Sequence, residues 1–213
     1  MGDINEELIN FYKKVKTQPE KISEAIHKIP RTKEEYYKVR SIDTSNLSEL
    51  EKAIRFFFLN RHCFNGVYRT NKSGFFNVPF GSKLTEIPSH DEIMNFSKKI
   101  SCTDFFSGDF EKTISSAEKN DFIYLDPPYA GTESRDRGEY GPNSFKEFDI
   151  VRLSSTLKHA SEKGAKILLS YASIESIKKE FLDWNIREIS VERSISGFAR
   201  GRKKVPEVII TNY

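Results

Sequence analysis

With 213 residues, the chain has room for one large domain, or one domain carrying an inserted module. A composition of 37% hydrophobic and 13% aromatic residues excludes a disordered or collagen-like chain. A formal net charge of +3 is too small for a global field, so any affinity for nucleic acid must come from local clusters. The two cysteines, Cys63 and Cys102, lack CxxC or Cys/His spacing, and the four histidines show no ligand spacing. Ordinary reduced thiols and no metal are therefore expected. No apolar run reaches the length of a membrane span and no signal-peptide pattern opens the chain, so the expectation is a soluble, cytoplasmic protein without a membrane partner.

Gly2-Asp3-Ile4-Asn5 leads directly into an amphipathic helix pattern whose apolar positions are Leu8, Ile9, Phe11, Tyr12 and Val15. Asp3 or Asn5 can cap it, with Glu6 and Glu7 in the first turn. An acidic residue just ahead of a helix, with nothing before it, reads as the end of a strand whose beginning is absent. Gln18-Pro19 ends the helix, and Ile22, Ala25, Ile26 and Ile29 predict another before Pro30. Residues 31–60 are charged and helical in character. They end in Ala53-Ile54-Arg55-Phe56-Phe57-Phe58-Leu59-Asn60, apolar on nearly all sides and expected to be buried. From Arg61 to Gly81, turn dipeptides between short aromatic runs predict a hairpin or irregular loops. Helices are expected over Ser89–Lys99 and Phe110–Glu118, the latter after the short loop Ser107-Gly108-Asp109.

Asp121-Phe122-Ile123-Tyr124-Leu125 reads as a buried strand, and it runs into Asp126-Pro127-Pro128-Tyr129. Proline lacks an N–H, fixes its own φ and restricts the residue before it, so the strand must stop in a stiff turn. That turn holds a carboxylate and a flat ring in a set relation. Strand carboxyl ends are where ligands bind in open α/β sheets. A rigid acceptor beside a ring suits a planar substrate carrying an NH2 group; an Asp-Pro turn with a Tyr packed beneath it is the plainer alternative. A polar stretch, Gly131 to Asn143, has few apolar anchors and is expected to be mobile. Beyond it, a helix to Lys163 ends at Gly164, a strand covers Ala165–Ser170, a helix runs through Phe181, and strands cover Ile186–Val191 and Val205–Thr211. Between the last two lies a basic stretch with Arg200 and Lys203. This alternation of strands and helices predicts a largely parallel, helix-covered sheet.

Asp126-Pro127-Pro128-Tyr129 resembles the catalytic motif of amino-methyltransferases that use S-adenosylmethionine. The chain as a whole resembles the Dam-type, D12-class DNA adenine-N6 methyltransferases. Asp3-Ile4-Asn5-Glu6-Glu7-Leu8-Ile9-Asn10-Phe11-Tyr12 is similar to that family's second cofactor segment. Arg61-His62-Cys63-Phe64-Asn65-Gly66 with Arg69, and Phe76-Asn77-Val78-Pro79-Phe80-Gly81, resemble its target-recognition region, and Glu207 to Tyr213 its last strand. The family's Phe-x-Gly-x-Gly loop has no equivalent here, and Ser82-Lys83-Leu84-Thr85 departs from the Arg-Tyr-Lys that often follows Pro-Phe-Gly.

The resemblance implies an α/β fold: a Rossmann-like, S-adenosylmethionine-dependent methyltransferase sheet with its first strand missing. Residues 1–27 and 90–213 would form the catalytic domain. Residues 28–89 would form an inserted, mainly helical target-recognition domain containing a hairpin. It also implies site-specific methylation of a flipped-out adenine in double-stranded DNA, with a GATC-like target, as in restriction-modification systems. Catalysis is expected from Asp126, Pro127, Pro128 and Tyr129; cofactor contacts from Asp3, Ile4, Asp109 and Phe110; DNA contacts from Asn65, Arg69, Asn77, Pro79, Arg200 and Lys203. The missing loop points to a split enzyme completed by a small protein subunit bearing Phe-x-Gly-x-Gly. The alternative is a catalytically incompetent remnant that binds DNA or regulates.

Overall fold

The chain's computed structural model describes residues 1–71, 73–82, 85–129, 145–192 and 204–213. Packing divides it into two compact units, one built on Met1–Asp109 and the other on the described residues from Phe110 onward. Residues 28–89, the span of the expected inserted domain, share one hydrophobic core with the helices on either side of them. Val15 and Ile22 from before the segment and Ile93 from after it pack with Tyr36, Phe57 and Phe58 from within it.

In the first unit, strand β1 (Gly2–Asp3) pairs in parallel with β2 (Phe106–Ser107), matching Gly2 with Phe106 and Asp3 with Ser107. Helix α1 (Glu6–Thr17) is capped by Asn5, whose side chain accepts from the Leu8 N–H, while Asp3 accepts from the Asn5 N–H at 2.7 Å. Helix α2 (Pro19–Lys28) starts on a proline, where no N–H is needed. Helix α3 (Lys33–Ser41) is capped by Thr32. Helix α4 (Glu49–His62) opens with a capping box in which Ser48 and Glu51 satisfy one another's backbone donors. Its apolar run is buried as expected, and Arg55 is buried with it. Helix α5 (His90–Lys99) opens with the same device, Ser89 with Glu92.

Between α4 and α5, the expected hairpin forms from paired loops with only isolated ladder contacts, Thr70 opposite Phe76 and Cys63 opposite Phe80. Asn71 closes its tip by accepting from the Ser73 and Phe75 N–H groups. Pro79, Phe80 and Gly81 return along the end of α4: Phe64 N–H donates to Pro79 O at 2.9 Å and Gly81 N–H to His62 O at 2.8 Å. A Cβ at Gly81 would stand 2.8 Å from the Cys63 carbonyl oxygen, so this close approach requires glycine. Buried His62 donates from Nδ1 to Phe58 O, and burial holds its pKa down, as suits a neutral packing residue.

The second unit comprises α6 (Phe110–Ser115), β3 (Phe122–Leu125), α7 (Glu147–Glu162), β4 (Lys166–Ala172), α8 (Glu175–Glu180), β5 (Asn185–Glu192) and β6 (Lys204–Thr211). The sheet order is β3-β4-β6-β5. β3 pairs with β4 in parallel and β6 is antiparallel to both its neighbours, so β3, β4 and β5 point one way and the largely parallel sheet expected from sequence is made mixed by β6. A parallel return needs a long crossover, usually a helix, and the basic sequence between β5 and β6 carries no helical apolar period. Ile167, Leu169 and Tyr171 of β4 and Val208 and Ile210 of β6 point one way, onto Leu153 and Leu157 of α7. Gly164, at φ +95°, ends α7 as its C′ residue.

Two measurements check this description. Replacing Gly81 with Ala should lower stability by about 1–3 kcal/mol in urea unfolding, because the neighbouring backbone cannot yield without repacking; no change would mean the approach is looser than described. Burial pushes the Cys63 thiol up to about 11, and its Sγ faces Asn60 O and Val67 O, whereas Cys102 is exposed. Below that value the Cys63 thiol is neutral and a poor nucleophile. A chromogenic disulfide reagent at roughly pH 8 should therefore titrate one thiol in the folded protein and both in denaturant. Equal rates for the two would contradict the burial.

Candidate functional site

Pairing of β3 with β4 runs from Phe122↔Lys166 to Leu125↔Leu169, and the Asp126-Pro127-Pro128-Tyr129 turn begins one residue later, at the carboxyl end of both parallel strands. Asp126 is exposed, and Pro127, Pro128 and Tyr129 are half-buried. The prolines give no N–H to the ladder, so the turn is held from below. The Tyr129 ring meets the ring of Tyr171, fully buried on β4, edge-on at 5.0 Å. The tyrosine packs, yet half of it remains outside the core beside an exposed carboxylate.

Tyr171 also joins this turn to Phe110. Phe145 lies 6.4 Å from Tyr171 and 6.1 Å from Phe110, centroid to centroid, giving a continuous file of rings from the first residue of α6 to the end of β3. Arg152 covers Phe110 with its guanidinium 5.0 Å from the ring centre. It is held there by Asp149 at 2.6 Å and Glu111 at 3.0 Å. Sequence reasoning missed Phe145, Tyr171 and Arg152. A tyrosine alternating along an apolar strand reads as ordinary core, and an arginine on a helix as a solvated charge. Arg152 and Glu111 also line an open groove of about 510 Å³ with Phe148, Val151, Ser155 and Thr156. None of the turn residues lines it.

In the first unit, Asp3 and Asp109 are brought to one end of the small parallel sheet. The Gly108 N–H donates to the Asp3 carbonyl oxygen at 3.0 Å, placing the two acidic residues at adjacent strand ends. Asp3 spends Oδ1 on the Asn5 N–H and so supports the helix start without being its cap. Ile4, beside it, is 55% exposed, an apolar surface fit for a flat ring. A half-buried carboxylate and an uncovered apolar side chain at a strand end fit the ribose and base of a nucleoside cofactor.

The DNA-facing residues expected from sequence fall into three kinds. Arg69 and Asn77 come together across the hairpin: Arg69 Nε donates to Asn77 Oδ1 at 2.8 Å and Nη2 to Asn77 O at 3.4 Å. Asn65 and Pro79 serve the backbone. Asn65 is an exposed turn residue at φ 54°, a left-handed conformation that asparagine tolerates, and Pro79 offers its carbonyl to Phe64. Arg200 and Lys203, and the polar stretch 131–143, lie outside the described residues. No group of three or more His, Cys, Asp or Glu side chains able to hold a metal occurs among the described residues, and none of the described helices is long and apolar enough to cross a membrane.

Comparison with known proteins bears on this geometry as a whole. Residues 1–195 match the model of the D12 class N6 adenine-specific DNA methyltransferases. The chain is 35% identical to the type II methyltransferase M1.LlaDCHI of Lactococcus lactis subsp. cremoris, over 100% of this chain and 78% of that protein. It is 32% identical to the retron Ec67 DNA adenine methylase of Escherichia coli, over 98% and 74%. A DNA adenine methylase of Vibrio cholerae is 31% identical, over 98% and 78%. The match takes in both strand-end sites and the hairpin between them, and the chain belongs to the D12 class of N6 adenine-specific DNA methyltransferases.

Proposed function

We propose that this chain methylates N6 of an adenine flipped out of double-stranded DNA, and that Asp126-Pro127-Pro128-Tyr129 is the clamp that holds the base. S-adenosylmethionine, the family's cofactor, supplies an electrophilic methyl group on a sulfonium. The adenine amino nitrogen is a poor nucleophile because its lone pair is delocalised into the ring. The Asp126 carboxylate and the Pro127 carbonyl each accept a hydrogen bond from that NH2, which favours a more pyramidal nitrogen with its lone pair directed out of the ring plane. Positioning and electrostatic stabilisation of this kind lower a barrier by several kcal/mol. Pro128 fixes the turn, and the Tyr129 ring stacks on the extruded base. The observation that carries this reading is the turn itself, a stiff exposed acceptor at the end of β3 with its tyrosine braced on Tyr171.

On the same reading, Asp3 accepts from the cofactor ribose hydroxyls, Ile4 packs on its adenine, and Asp109 and Phe110 are further cofactor contacts. In the hairpin, Arg69 presents its fork to guanine and Asn77 its amide to adenine, for which a GATC-containing duplex is the probe of choice. Asn65 and Pro79 act by shaping the loop, and Arg200 and Lys203 by pairing with phosphates. The Phe-x-Gly-x-Gly loop implied by the resemblance lies outside this sequence, and a polypeptide bearing it would complete the cofactor pocket. Support comes from β3, which closes one edge of its sheet with Phe122 59% and Tyr124 62% exposed, an apolar edge of the kind that takes up another chain.

Transfer of a labelled methyl group from S-adenosylmethionine to duplex DNA tests the whole reading, using the chain alone and mixed with a polypeptide bearing that loop. Incorporation only in the mixture supports the split arrangement. Incorporation by the chain alone removes the need for a partner, and none in either sinks the enzymatic reading. Under the active condition, Asp126→Ala should reduce kcat by about a hundredfold or more with the fold intact, and full retained activity would refute its role. Tyr129→Ala should weaken the complex with a duplex carrying an abasic or mismatched partner by about 1–3 kcal/mol, the worth of one stacked base.

A further inference from the structure

The hairpin that carries Arg69 and Asn77 is anchored to the start of α1 by a partly buried polar network that base contact does not require. Glu7, in the first turn of α1, accepts at each carboxylate oxygen from a different element. Tyr68 Oη donates to Oε2 at 2.9 Å, and Arg55 Nη1 to Oε1 at 3.4 Å. Arg55 is only 7% exposed and spends its other donors on the carbonyls ending α3: Nε on Val39 O at 3.2 Å and Nη2 on Arg40 O at 3.0 Å. Arg40 continues the chain of contacts, its Nη1 reaching Val78 O at 3.0 Å beside the Tyr36 hydroxyl at 2.9 Å. Both arms of the hairpin are therefore gripped one residue away from the side chains that face outward. Tyr68 precedes Arg69, and Val78 follows Asn77.

We propose that Glu7 and Tyr68 are positioning residues for target recognition: their hydrogen bond fixes the register of the hairpin and thereby which bases Arg69 and Asn77 can reach. This rests on the reading of Arg69 and Asn77 as base contacts. Stability alone does not account for the network. The Tyr68 ring already packs between Phe56 at 5.9 Å and Phe76 at 5.7 Å, so a phenylalanine would fill the same space. The Arg55–Glu7 ion pair, moreover, adds little stability by itself, since it is 3.4 Å long and the Glu7 side chain is 29% exposed. What the hydroxyl adds is direction, a single geometry between the hairpin and the helix that follows Asp3 and Ile4. Burial, with the neighbouring carboxylate, pushes the Tyr68 pKa up, so the hydroxyl stays a donor across the working range.

The test is selection of bound duplexes from a randomised pool by the full chain, comparing Tyr68→Phe and Arg69→Ala with the unaltered protein. Tyr68→Phe should reduce the preference for the selected sequence over its single-base variants by about tenfold, as losing one good base contact would. Its affinity for an unrelated duplex and its midpoint of thermal unfolding should stay close to those of the unaltered chain. Glu7→Gln, which keeps an acceptor for Tyr68, should retain more of the preference than Glu7→Ala. An undiminished preference in Tyr68→Phe, with loss in Arg69→Ala, overturns the positioning role and leaves the base-reading assignment standing. No loss in either, or no sequence enriched by the unaltered chain, overturns that assignment and this proposal with it. A parallel fall in stability and in all DNA binding would reduce the network to scaffolding.

Discussion

The parallel register of β3 on β4 is the constraint on which the strand-end site depends. It sets Leu125 against Leu169 and leaves the next residues to a turn that two prolines make stiff but cannot anchor. Anchoring falls to the ring of Tyr171, buried in the same face of β4 as Ile167 and Leu169. The core packing that stabilises the sheet therefore also braces the Tyr129 ring. A site built this way has little freedom to adjust, which suits chemistry requiring a planar group to be held at one angle.

The first unit solves a different problem. Its hairpin has isolated ladder contacts and backbone hydrogen bonds such as Asn77 N–H to Arg69 O at 3.1 Å and Asn71 N–H to Phe75 O at 2.8 Å. Side chains add to that hold: the Tyr68 ring against Phe56 and Phe76 and one carboxylate shared between Tyr68 and Arg55. Placing Arg55 in the middle of an aromatic helix face incurs a desolvation cost that few folds carry without return. Here every hydrogen bond of that guanidinium ends on a neighbouring element, which makes it the junction of α1, α3 and α4.

Much of this was legible in the sequence because the relevant signals are local. Ser48 with Glu51, and Ser89 with Glu92, announce helix starts by spacing alone, and the apolar run through Phe58 announces a buried helix. The strand before Asp126 and its abrupt end follow from proline chemistry. The direction of β6 was not legible, since alternation along a strand is the same in either orientation. Nor was the burial of Arg55, whose carboxylate partner is 48 residues away. The same holds for Tyr171, which reads as core until the turn above it is seen to need a brace. The left-handed backbone of Asn65 was not legible either, since a polar residue before glycine suits several turn conformations.

The hydrogen bond between Arg69 and Asn77 decides how such a hairpin could read DNA. A guanidinium free in water loses rotamer entropy on docking, a cost of about 0.5–1.5 kcal/mol for a side chain of its length. Here Nε and Nη2 are already committed to Asn77, so much of that loss occurs on folding rather than on binding. On the proposed reading, the remaining donors would meet a base in a plane that the hairpin, not the arginine, has chosen. An arginine oriented in this way discriminates well only if the loop beneath it does not shift. That is the physical reason for holding Tyr68 and Val78, its neighbours in the two arms, on directional bonds instead of on packing alone.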